Sequence, residues 1–245
     1  MRLAETLETG AAALLFAAAF VFGGRVHPLR SLIRERRTVV SFGAGISAAY
    51  VFVHVMPELA RVRQGFAASV SLPLRYEGMA IYLVALLGFL LFYGLDHLRA
   101  RLRETGAARQ SGSAFGLHVG GFAAYILLLG YLLVRNLETG GASMGFYVLA
   151  ITFHLLAVDN ELRNEHGAVY QRTGRFVLAG MALAGWGIGL LAALPQHVIA
   201  LLLAFLSGAI IMNSTIMELP SEKDGRFLPF VTGGVFYGLI LLPFG

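Results

Sequence analysis

Between residues 176 and 217 the chain carries no Asp, Glu, Lys or Arg. The run is about twice the roughly 20 residues a helix needs to cross the hydrocarbon core of a bilayer. It therefore predicts two crossings, with Pro195-Gln196-His197 at the break, because the residue before a proline is pushed out of helical geometry. Six more apolar runs have spanning length or approach it. The eight predicted spans are 9–24, 38–59, 78–97, 114–135, 143–162, 175–194, 197–218 and 227–243. Helices are the expected form, because a helix satisfies its own backbone hydrogen bonds where no water can. The reading is an all-α integral membrane protein with about eight transmembrane helices, forming a single transmembrane domain over 1–245. Charged residues make up 13% of the chain, about half of what a soluble domain carries. The first run does not read as a signal peptide: Arg2 is accompanied by Glu5 and Glu8, and no Ala-x-Ala site precedes a soluble domain.

The absence of cysteine excludes disulfides, thiolate metal sites and cysteine nucleophiles. The net charge of +5 does not point to nucleic acid, since the arginines sit in clusters between apolar runs, as the flanks of membrane spans do. One set of loops holds Arg25 to Arg37, Arg99 to Arg109, Arg163 to Arg175, Lys223 and Arg226, fourteen of the 19 basic residues. The positive-inside rule places that set in the cytoplasm. Both termini are then expected outside, in the plasma membrane, with the lipid bilayer as the main partner. A homodimer is left open.

Two spans share a pattern. Phe42-x-x-Gly45 is followed by Pro57 and Glu58; Phe205-x-x-Gly208, 163 residues later, is followed at the same distance by Pro220, then Ser221 and Glu222. The two lie five places apart in the order of spans, an odd step, so they are expected to cross in opposite directions. Inverted repeats of this kind occur in secondary transporters, which bind substrate between the repeats.

Ionisable groups inside spans are costly and mark pathways. They concentrate in spans two (His54, Glu58), four (His118), five (His154, Asp159, Glu161) and seven (Asn213, Ser214, Glu218). These four spans are expected to form an inner bundle, with the others facing lipid. His54 and Glu58 are four apart and share a helix face. His154 and Glu161 share another, which Glu165 continues if the helix persists, while Asp159 points about 140° away. Imidazole, carboxylate and amide groups suit zinc, iron or manganese. The competing reading is interfacial anchoring for the groups near span ends, and a helix–helix hydrogen bond for the deeper His118 and His154.

Ser41-Phe42-Gly43-Ala44-Gly45 leading to His54-Val55-Met56-Pro57-Glu58 resembles the second span of the ZIP family of divalent-metal transporters. Gly88-Phe89 and the segment from Gly208 to Glu218-Leu219-Pro220 resemble its third and seventh spans. The resemblance covers nearly the whole chain. It implies a 3+2+3 arrangement with inverted outer triplets, and a divalent cation (zinc, iron or manganese) as substrate with no organic cofactor. It also implies a metal site drawing on His118 and His154; the further ligand is expected from Glu161, which shares the His154 face, and after it from His54 or Glu58 on the neighbouring span. The chain departs from the family where acidic ligands are expected: His118 is followed by Val119-Gly120-Gly121, and His154 by Leu155-Leu156-Ala157-Val158-Asp159. A dication between two neutral imidazoles alone is poorly compensated in a low-dielectric site.

Three functions fit the sequence. The first is a metal transporter with a rearranged site. The second is a non-transporting ZIP-like protein that binds, senses or scaffolds. The third, a membrane hydrolase around a fixed metal, has least support, as no His-Glu-x-x-His helix is present. The chain is expected not to be an enzyme.

Overall fold

The computed structural model describes residues 3–32, 36–69, 77–104, 113–135, 142–217 and 225–242. Glu218 and Pro220 of the repeat lie outside them. Among the described residues there is no strand. The helices are α1 (Leu3–Leu32), α2 (Arg36–Tyr50), α3 (Met56–Ser69), α4 (Glu77–Glu104), α5 (Ser113–Arg135), α6 (Ala142–Val169), α7 (Arg175–Leu191), α8 (Gln196–Met212) and α9 (Phe227–Leu241). Short π-helical segments, Val51–Val55, Tyr170–Gly174 and Asn213–Met217, follow α2, α6 and α8.

Among the described residues, six helical stretches are long and apolar enough to cross a membrane: Leu3–Gly24, Ser41–Ala67, Gly78–Leu98, Phe115–Arg135, Tyr147–Leu191 and Gln196–Ile216. A shorter apolar helix covers Phe227–Ile240. The protein is thus an all-α membrane protein, and exposed leucines such as Leu83, Leu86, Leu87 and Leu90 on α4 suit contact with lipid rather than water. The predicted break falls as expected, with α7 ending at Leu191 and α8 beginning at Gln196. Tyr131 ties that link: its hydroxyl donates to the Ala192 carbonyl at 3.3 Å and accepts from the Leu194 amide at 3.2 Å.

Tyr147–Leu191 holds 45 residues, where two spans joined by a loop are expected. Helix continues through the expected loop, interrupted at Gly167, whose φ of 52° is open to glycine but strained for other residues. The Tyr170 hydroxyl donates to Asp159 at 2.7 Å. A straight helix would hold residues 11 positions apart at about 16 Å, so the chain folds back at Gly167.

Contacts divide the chain into two compact units. One comprises Met1–Arg25 and Leu90–Pro195, the other Val26–Phe89 and Gln196–Gly245. Spans two and seven fall in the second unit, four and five in the first.

The second unit is held by glycines. A Cβ on Gly45 would strike the Phe230 carbonyl and come 2.8 Å from the Gly234 nitrogen; one on Gly208 would strike the Ala85 carbonyl and come 2.9 Å from the Phe89 nitrogen. Reciprocally, Gly88 lies against the Phe205 carbonyl and Gly233 against the Phe42 carbonyl. Adding 163 to Phe42 and Gly45 yields Phe205 and Gly208; adding 145 to Ala85, Gly88 and Phe89 yields Phe230, Gly233 and Gly234. The α2–α9 contact and the α8–α4 contact therefore repeat each other residue for residue. Without side chains in the way, the backbones approach closely enough for dispersion to hold them where lipid gives no hydrophobic drive.

The π segments at Val51–Val55 and Asn213–Met217 also fall at corresponding places, one residue out of register. At the first, the Met56 amide donates five residues back, to Val51. Pro57 follows and has no amide to donate, so widening the turn accommodates the missing bond. Ser47 donates to Ser214 at 3.3 Å, joining the two copies.

In the first unit, α5 and α7 pair most extensively, with Gly130 against the Ala182 carbonyl and Gly185 against the Leu127 carbonyl. The expectation that α1 faces lipid is corrected. Thr9, Phe16 and Phe20 are fully buried, and Trp186 donates to the Thr9 hydroxyl at 3.1 Å. A span without ionisable groups can still pack on protein, because lipid chains and apolar side chains are equivalent neighbours.

Candidate metal centre

His118 lies near the start of α5 and is 6% exposed. Its Nδ1 is 2.9 Å from Nε2 of His166 and 3.3 Å from Oε2 of Glu165, both on α6. The three side chains can each offer one ligand atom, and these atoms lie within 4.8 Å of one another. Consecutive helix positions diverge by about 100°. Glu165 and His166 can both reach Nδ1 because His118 enters the wedge between them. Apolar rings surround the group: Phe115 meets His166 edge-on at 5.3 Å, and Phe122 stands 5.3 Å from His118.

The other expected ligands have different surroundings. His154 is buried, with Nε2 3.0 Å from the Tyr125 hydroxyl. Tyr125 follows His118 by seven residues, about 10 Å along α5, so the helix position that meets His154 lies that far from the one that carries His118. Glu161 is partly buried on α6 and is not among the three clustered side chains. In the other unit, His54 stacks on Tyr50 with centroids 5.2 Å apart, and Glu58 pairs with Arg61 at 3.2 Å. Gly121 lies against Leu95, where a Cβ would stand 2.9 Å from Cδ1.

Glu165 falls on the His154 face, as expected for a helix that persists. His166 was missed because residues 163–175 read as loop. The signal for it was the pair Glu165-His166 directly before a glycine that could end a longer helix.

Asp159 does point away from the His154 face, and it is not idle. It is 1% exposed and accepts from Arg163 at 2.9 and 3.0 Å as well as from Tyr170. Gly23 and Gly24 of α1 lie over this pair, where a Cβ would strike the Asp159 carboxylate or stand 2.7 Å from the Arg163 guanidinium. The arrangement ties α1 to the Gly167 hairpin, and its carboxylate is occupied by a guanidinium.

Comparison of the chain with protein-family models, curated proteins and solved structures finds no match.

Proposed function

We propose that the protein is a membrane transporter, similar to the ZIP family, that carries divalent metal cations across the plasma membrane on an inverted repeat. The supporting observation is the duplicated contact: Phe42, Gly45 and their α9 partners recur as Phe205, Gly208 and their α4 partners. Internal duplication of this kind underlies secondary transporters, in which one repeat moves against the other around a bound substrate. In this reading residues 147–191 cross twice, turning at Gly167, and α9 forms the eighth crossing of a 3+2+3 arrangement with both termini outside. Zinc, iron and manganese are the candidate cargo.

The test is uptake into liposomes that contain the purified protein and a metal-sensitive dye. Flux of Zn2+, Fe2+ or Mn2+ above that of protein-free liposomes is expected; no flux of any of them would overturn the proposal. One observation favours the non-transporting alternative: Glu58 and Asp159 are each paired with an arginine, which leaves them poorly available to a passing cation.

A further inference from the structure

We infer that His118, Glu165 and His166 form a binding site for a divalent transition-metal ion of the zinc class. This deepens the transport reading by giving the cargo a position, and it rests on that reading for the ion's onward movement. Binding itself stands on the geometry.

Ligand atoms around a tetrahedral ion with bonds of about 2.0 Å stand roughly 3.3 Å apart. Nδ1 of His118 is 3.3 Å from Oε2 of Glu165 and 2.9 Å from Nε2 of His166. An ion therefore enters with shifts of a few tenths of an ångström on the His118 side. In the ion-free arrangement one of the two facing nitrogens carries the proton of their hydrogen bond; an incoming metal takes its place, and that imidazole carries the proton on its other ring nitrogen instead.

The donor set selects the cargo. Two imidazoles and one carboxylate disfavour Mg2+ and Ca2+, which prefer oxygen ligands, and suit Zn2+ and its neighbours. Glu165 also supplies the negative charge that the spans lack at the positions following His118 and His154. Its side chain is 8% exposed, and that of His118 is 6% exposed. The charge therefore acts in a medium of low dielectric, where it compensates a dication far better than at a surface. Three protein ligands leave one position open in a tetrahedral shell, as in sites where the metal exchanges or reacts rather than merely holding structure.

The full chain, purified in detergent, is titrated with Zn2+ against a chromophoric chelator, and with Co2+ read by its visible absorption. One ion per chain is expected, with intense Co2+ bands of a tetrahedral nitrogen and oxygen site. Glu165→Gln, which keeps the shape of the side chain, and His166→Ala are each expected to weaken Zn2+ by more than the roughly 10- to 100-fold that loss of a ligand's supporting partner costs. His154→Ala and Glu161→Gln should bind as the parent does. Absence of binding by the parent chain, or unchanged binding in both Glu165→Gln and His166→Ala, would overturn the site. Thermal unfolding of each variant separates loss of a ligand from loss of fold. Binding without flux in liposomes sinks the transport reading and leaves the site; flux without binding here does the reverse.

Discussion

Tyr170 donates a hydrogen bond to Asp159 across 2.7 Å, although 11 residues of largely helical chain separate them. The bond forms because Gly167 turns the chain back on itself, and the same turn interrupts α6 directly after Glu165 and His166. The hairpin thus positions both a buried ion pair and two of the three clustered side chains, Glu165 and His166.

The turn depends on a backbone conformation that side chains disfavour. Gly167→Ala is expected to lower stability by about 1–3 kcal/mol. Unfolding of the purified protein in a denaturing detergent series would measure it, and an unchanged midpoint would show that the turn does not need glycine.

Asp159 and Arg163 are both largely buried. Asp159→Ala leaves a guanidinium without its counter-charge and is expected to destabilise by about 3–5 kcal/mol. Asp159→Ala combined with Arg163→Leu should recover part of that loss. A double variant no better than the single would remove the pair from the account of stability.

The duplicated contact predicts matched penalties. Gly45→Ala and Gly208→Ala each force a Cβ into a carbonyl, costing about 1–3 kcal/mol by overpacking. Gly43 has nothing within 4 Å of its would-be Cβ, so Gly43→Ala is expected to be neutral or to stabilise by up to about 1 kcal/mol. The three melting temperatures decide it; equal values would contradict the packing.

Orientation can be read by thiol labelling, since the chain has no cysteine of its own. Gln171 and Gln196 are both exposed. Gln171→Cys should react only with reagent inside the cell, and Gln196→Cys only from outside. Labelling of Gln171→Cys from outside would reverse the assigned topology.

Protons compete with metal for imidazole nitrogens. Zn2+ affinity at His118 and His166 is expected to fall as pH drops, more steeply in the parent than in His166→Ala. Equal slopes in chelator competition would mean that His166 does not bind the ion.

Much of the fold could be read from residue type and spacing. The apolar run at 176–217 and Pro195 located a break that the helices respect, and Phe42-x-x-Gly45 announced its counterpart at Phe205 and Gly208. The second half of the duplication was hidden, because Ala85-x-x-Gly88-Phe89 and Phe230-x-x-Gly233-Gly234 share only a glycine in register; a backbone contact constrains size, not identity. His118 was legible as a deep, costly group. Its partner His166 was not, because three arginines at 163–175 read as a polar loop, whereas Arg163 is turned inward to Asp159. The role of Asp159 was illegible for the same reason: linear spacing carries no information about a chain that doubles back.

Each reciprocal glycine contact in the second unit pairs a surface i with a surface j, and its counterpart pairs j with i. That is the signature of an isologous interface, the kind formed when two copies of one chain bind about a two-fold axis. The protein carries a dimer's self-complementarity within a single polypeptide. A half-length chain bearing one helix of each type would possess both mating surfaces, and fusion of two such halves would convert a concentration-dependent association into a permanent one.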